Sequence, residues 1–334
     1  MAADRNDLVD CPSTFFLGLT GIVLPALSVP GLQIGPRLKV IKDAPAASRM
    51  LAAYADNLGS VEYHFLTRKA SALVYAHERV PVDPVAPGEW INGLLLQRLS
   101  EMQSILLRLW LIKDNAVDPD VGWMAVKFGN STIVNSNRWS GAYSRADGTS
   151  EPTAFSRDEL RNAASWKIEP QEMPVGRGVP LYRAGASDER ITKLSQNTLR
   201  MQRFLYFVDG ARKSKDVAIK IALYCSGLEA MLSSSNTELT HQVAERAAVL
   251  IRDRGEARLG VYHQVKAAYA IRSKAVHGAM FKDKDHHKLV DAAIGIDEVC
   301  REVARSYFLS PELAHALESD QEAFTEFWLG KLFL

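Results

Sequence analysis

Tyr269-Ala270-Ile271-Arg272-Ser273-Lys274-Ala275-Val276-His277-Gly278 closes a strongly helical run and sets a permanent cation and a titratable imidazole five residues apart. Tyr262, Val265, Tyr269, Arg272 and Val276 follow one another at steps of three and four, which is one face of a helix. Arg272 therefore falls on the apolar stripe. A guanidinium taken out of water is costly unless it is paired. Either a protein carboxylate, Glu229 or Glu245, braces it, or it faces a cleft that receives an anionic ligand. His277 lies about 140° further round an ideal helix, so a straight helix does not aim both side chains at one point. Gly278 is expected to end the helix just after the histidine. A bent terminus or a second copy of the chain would bring the two groups together.

The bare spacing is not selective, because Arg258-Leu-Gly-Val-Tyr-His263 repeats it. The first copy is distinguished by its context, Tyr-x-x-Arg-Ser-x-x-Val-His-Gly, and by two preceding helical segments, Gly227-Leu-Glu-Ala-Met-Leu232 and Val243-Ala-Glu-Arg-Ala-Ala-Val-Leu250. On these residues the region from about Asp188 to Leu309 resembles the HEPN family, and within it the Apea-like branch. The resemblance implies an all-helical domain whose Arg-x4-6-His motif serves, in many members, a metal-independent endoribonuclease acting as a dimer. Other members only bind RNA or nucleotides. Ser273 stands where many HEPN nucleases carry Asn, Asp or His; serine fits the Apea-like branch.

Composition sets the frame. The chain has 334 residues, enough for two domains, and a net charge of only +1. From Arg200 to Lys288 there are 16 Lys and Arg against 9 Asp and Glu, a local charge of +7 that leaves −6 for the remainder. A basic half is the footprint of an RNA-facing domain, or else a set of solvated helix faces. Cys11, Cys225 and Cys300 have no metal spacing and their odd count gives no disulfide framework, so a reducing cytoplasm is expected. The apolar run Phe15–Leu24 is too short to span a bilayer and follows acidic residues, the wrong charge for a signal peptide. It reads as a buried strand or hairpin, with no membrane partner.

Along the chain, residues 1 to about 45 suit strands and turns, Ala46–Leu58 a helix, Val61–Tyr75 a strand or hairpin, and Pro81, Pro84 and Pro87 a loop. Trp90–Lys113 is a long helix. Val121–Phe128 and Ser131–Val134 are strands around Gly129-Asn130. Ser156–Trp166 is a short helix whose Ser156 and Glu159 have capping-box spacing. This predicts an α+β domain over 1–169, a Pro- and Gly-rich linker over 170–187, and a HEPN-like helical bundle with a C-terminal helix over 188–334, mostly α overall. Five amphipathic helices, starting near Asp188, Val217, Leu239 (capped by Asn236 or Thr237), Tyr262 and Leu289, build the bundle. Pro311 starts a last helix whose greasy end must be covered, by the chain's own core or by a dimer contact. The tryptophans of the first half read as core or interface packing. No glycine-rich phosphate loop, zinc spacing or nucleophile elbow is present, and adjacent His286-His287 point to different helix faces, so no metal and no cofactor are expected.

Metal-free RNA cleavage requires proton transfers and a clamp for the charged phosphate. An imidazole carries protons near neutral pH, and a guanidinium clamps phosphate oxygens. His277 is accordingly the candidate acid or base and Arg272 the candidate phosphate ligand, with Ser273, Lys274, Glu229 and Tyr269 in RNA-binding or supporting roles. Two proton transfers need two histidines, and the resemblance implies that a homodimer supplies them. The expected function is an endoribonuclease of toxin or antiviral-defence type, leaving a 2′,3′-cyclic phosphate, with RNA as partner and a regulatory ligand or protein at the N-terminal domain. The alternatives are a non-catalytic RNA- or nucleotide-binding module and a purely structural interaction protein.

Overall fold

A computed structural model describes residues 8–138, 142–166, 168, 198–235, 237–276 and 286–333. The first half is built on a six-stranded antiparallel sheet in the order β3-β4-β5-β1-β6-β7. The strands are β1 (Val9–Thr20), β3 (Leu27–Gln33), β4 (Lys39–Lys42), β5 (Ala72–Val82), β6 (Asp118–Phe128) and β7 (Ser131–Asn137). β2 (Ile22–Val23) and β8 (Thr153–Ala154) form a small parallel pair beside it. β1 lies centrally, between β5 and β6, and is buried from Ser13 through Leu19. That unbroken run means both sheet faces are covered. Phe15, Leu17 and Leu19 face the core shared with the long helix α3 (Pro87–Ile112), while Phe16 faces α1 (Ala44–Leu51) on the other side. Gly122 lets α3 lie close on the sheet, since a Cβ there would meet Leu99 at 2.7 Å. Gly129, at φ +60°, makes the β6–β7 hairpin turn.

Several expectations need correction. Val61–Tyr75 is not a strand or hairpin throughout: the chain stays helical through α2 (Ala55–His64) and a wide turn ending at Lys69, and the strand starts only at Ala72. Tertiary packing overrides the β-branched local preference, because Leu58 and Leu66 anchor this stretch on Phe16, Leu73 and Tyr75, while Val61 is 77% exposed. Pro81 sits inside β5, not in a loop. It pairs with Asp10 of β1, beyond the reach of β4, whose partners end at Tyr75, so no N–H is needed on that side. Pro87 opens α3, as a proline can in a first turn.

α4 (Arg157–Ser165) carries the capping box foreseen for Ser156 and Glu159. The second half is helical: α5 (Arg200–Lys213), α6 (Val217–Leu232), α7 (Leu239–Ile251), α8 (Glu256–Val276), α9 (His286–Leu309), α10 (Pro311–Leu317) and α11 (Gln321–Phe333). α6 is its central element, packed on α5, α7, α8 and α9. α7 is not capped by Thr237. Its N-cap is Glu238, at φ +49° and with no side-chain capping bond; Asn236 lies outside the described residues, as do the expected linker 170–187 and residues 188–197. The tail folds back onto its own chain: Phe324 and Trp328 are buried in the helical core, although Leu329 and Phe333 stay exposed. No helix among the described residues is long and apolar enough to cross a membrane.

The α+β half and the helical half share α3. Its Leu95, Leu99, Met102, Leu106 and Leu109 belong to the sheet core, whereas Leu107, Trp110 and Leu111 complete the helical core. Every residue from Arg98 to Leu111 is buried, which is what a helix between two layers requires.

Candidate functional site

α8 is held by Val261, Val265, Ala268 and Tyr269, which are buried against α6, α7 and α9. Arg272 follows on the same side but at the margin of the core, with its side chain 29% exposed. One turn on, Val276 is 66% exposed, so the apolar stripe leaves the core at Arg272 and does not extend past it. Ser273 and Lys274 are exposed. His277 lies outside the described residues, with Gly278.

The partner of Arg272 is Glu229, not Glu245. Nη1 and Nη2 donate to Oε1 and Oε2 of Glu229 at 2.5 and 3.2 Å, a fork that ties α8 to α6. The guanidinium stands 5.5 Å from the centre of the Tyr269 ring, close enough for a cation–π contribution. The Tyr269 hydroxyl donates to the Cys225 carbonyl at 3.5 Å. Burial, then the Glu229 charge, raises the Tyr269 phenol far above its ordinary range, so it is a neutral donor at any working pH. Burial likewise pushes the Cys225 thiol up to about 12, which makes it inert packing and not a nucleophile.

The fork commits two of the five guanidinium N–H groups to Glu229, and guanidinium has donors enough for a second anion. Arg272 is thus fixed in direction and kept at the surface. Glu229 also cancels its charge, so net attraction for a phosphate has to come from other cations. The second copy of the motif is spent on structure: Arg258 donates from Nε and Nη2 to the Arg252 carbonyl at 3.1 and 3.0 Å, closing the end of α7.

The basic excess of this half is also partly internal. Arg212, Lys220 and Arg246 are buried. Arg246 donates to the Leu232 carbonyl at 2.6 Å and stands 5.1 Å from the Trp328 ring. Only the exposed remainder is available to a polyanion. His286 and His287 are both exposed at the start of α9, and no group of metal-ligating side chains occurs among the described residues.

No protein-family model, curated protein or solved structure matches this chain.

Sequence reasoning missed a second polar centre, buried where the halves meet. Asp297 of α9, wholly buried, accepts from Trp110 of α3 and Tyr224 of α6, each at 2.8 Å, and from Arg301 at 2.8 Å. Nearby, Lys220 is wholly buried and donates to the Ala211 and Ser144 carbonyls at 2.9 and 3.3 Å. Arg212 lies 4.1 Å from the Tyr143 ring. Burial raises the Asp114 carboxyl and pulls the Lys220 ammonium down to about 8. These groups come from five separate chain segments. A lone Asp or Lys in a helical run reads as a solvated face, so the sequence carries no local signal for them.

Proposed function

We propose that the chain is a metal-independent endoribonuclease of the HEPN type, of the toxin or defence-effector kind, in which Arg272 binds and stabilises the scissile phosphate. The observation that carries this reading is the placement of Arg272: at the solvent edge of α8, oriented by a carboxylate fork and an aromatic ring. Donors fixed in advance are worth most where charge grows in a transition state. His277, five residues on in the sequence, takes the proton from the ribose 2′-hydroxyl or returns one to the departing 5′-oxygen. Attack of the 2′-oxygen forms its bond to phosphorus as the bond to the 5′-oxygen breaks, leaving a 2′,3′-cyclic phosphate and a 5′-hydroxyl. DNA lacks the nucleophile and is spared. A homodimer supplies the second histidine.

Total RNA incubated with the purified protein in EDTA tests this. Wild type should cleave, with 2′,3′-cyclic phosphate ends, and the Arg272→Ala and His277→Ala variants should not. An excess of His277→Ala mixed with wild type should suppress cleavage by the wild-type chains if each site needs the histidines of both subunits. Full cleavage by His277→Ala would refute the mechanism.

A further inference from the structure

The sheet of the first half ends on two unlike edges, β3 and β7. β3 is interrupted by Pro30 and Gly31, and its pairing with β4 shifts between Leu27 and Leu32. Proline and broken pairing are among the devices that keep an edge from recruiting another strand. β7, Ser131-Thr-Ile-Val-Asn-Ser-Asn137, has neither. It carries no charge and no proline, and it pairs with β6 without a register shift from Ser131 opposite Phe128 to Asn137 opposite Gly122. Gly129 and Asn130 form a two-residue turn, so Phe128 and Ser131 exchange hydrogen bonds, and every second pair beyond them does the same. The N–H and C=O groups of Ser131, Ile133, Asn135 and Asn137 are therefore turned towards β6. Those of Thr132, Val134 and Ser136 are turned outwards, and nothing among the described residues bonds to them. On the faces, Ile133 packs on the α3 core, while Val134 packs on the Phe16 core between exposed Thr132 and Ser136.

We infer that β7 is a dimer seam: the β7 strands of two copies of this chain pair antiparallel about a two-fold axis at Val134 and join two six-stranded sheets into one. In this register all seven residues are matched end to end. Thr132 lies opposite Ser136 of the second copy, and Val134 opposite its own counterpart. The outward groups of Thr132, Val134 and Ser136 then meet in hydrogen-bonded pairs that supply about six bonds. Hydroxyl against hydroxyl and valine against valine are favourable cross-strand neighbours. On the other face Ile133 meets Asn135, whose amide is already held by the Gly88 carbonyl at the start of α3, at 2.8 Å. A strand without charge does not repel its own copy, and a charged peptide would find no opposite charge on β7 to pair with. A self-complementary patch of this kind is what a two-fold contact requires. The seam lies in the first half of the chain and is independent of the nuclease reading.

Sedimentation equilibrium of the full-length protein over a range of concentrations tests this. Wild type should be a dimer. Thr132→Glu/Ser136→Glu sets like charges opposite each other twice across the seam, and the dissociation constant of the dimer should rise about tenfold or more. Thr132→Glu/Ser136→Lys sets opposite charges in the same places and should bring the dimer back to wild-type strength. Both positions are exposed, and Thr132 faces Lys127 of β6 within its own chain, which accommodates a glutamate. Both variants should therefore keep the wild-type circular dichroism. The dimer of the Glu/Lys variant should also weaken with added salt more than that of wild type, so this variant decides alone if the Glu/Glu variant does not fold. A monomeric wild type overturns the seam. So does a dimer that the Glu/Glu variant leaves intact, since its contact must lie elsewhere. Equal weakening of both variants overturns the register about Val134 and the seam with it.

Discussion

At the scale of single residues, two buried or half-buried charges set opposite demands on the fold. Arg272 has a carboxylate partner at the edge of solvent, so the pair is worth little by itself. Glu229→Ala should cost about 1 kcal/mol, since both side chains remain partly hydrated. Its effect on function is the sharper readout. If the fork aims Arg272 at a phosphate, the variant should lose at least tenfold in RNA cleavage measured on the folded fraction. If the pair only braces α6 against α8, activity should survive. Lys220 has no such relief. It is wholly buried, with two carbonyl acceptors, and its folded-state pKa is about 8 against an ordinary 10.5. A base whose folded pKa is depressed is bound to its proton more tightly in the unfolded chain, so stability rises with pH between the two values. The penalty of its charge is fully present below pH 8 and is relieved towards pH 10.5. Measured by urea unfolding, the stability of wild type minus that of Lys220→Met should therefore increase by about 3 kcal/mol from pH 7 to above pH 10. A flat difference would mean that Lys220 is hydrated or paired in solution.

At the scale of elements, local signals were legible where local chemistry decides. Ser156 caps α4 by accepting from the Glu159 amide at 3.2 Å, and Glu159 accepts from the Ser156 amide at 2.8 Å, as the spacing of the two residues foretold. Ser156→Ala should accordingly cost about 1 kcal/mol, read as a lower urea midpoint with the slope unchanged. The stripes of α3, α6 and α9 could likewise be read from apolar spacing alone, and so could the Gly129 hairpin. What failed was decided elsewhere in the chain. The helical run up to Lys69 contradicts its own β-branched content because the far side of the sheet, Phe16, Leu73 and Tyr75, needs a cover. Pro81 is tolerated in a strand only because β4 is short. The site shows the same division. The sequence proposed Glu229 and Glu245 as partners for Arg272 and could not choose, because the choice depends on how α6 and α7 lie against α8.

At the scale of the whole molecule, the decisive feature is that α3 belongs to both halves. The sequence suggests a bundle that could stand alone after a linker. In the structure, Leu107, Trp110 and Leu111 are part of its core, and the Trp110 indole donates to Asp297 at its centre. Asp297 gathers donors from α3, α6 and α9, so it is the point at which the two halves are fastened. Removing one partner of a buried, hydrogen-bonded charge typically costs about 3–5 kcal/mol, because the others are left unsatisfied. Asp297→Ala should show that loss in full-length protein, strand Arg301 beside Tyr224, and loosen the helical core. Trp110→Phe, which keeps the ring and removes one donor, should cost only about 1–2 kcal/mol. A fragment of residues 198–334 lacks α3 entirely. It should be helical by far-ultraviolet circular dichroism but bind a hydrophobic dye and give no cooperative melt, the behaviour of a core with a missing wall. A fragment of residues 87–334 restores the wall on that side and should recover a cooperative melt, even with the sheet face of α3 exposed. If residues 198–334 melted cooperatively at the temperature of the intact chain, α3 would be a lodger on a self-sufficient bundle, and the first half would have no structural hold on Arg272. If they do not, any event that shifts α3 against the sheet also strains Asp297, Tyr224 and, through α6, the Glu229 fork that orients Arg272.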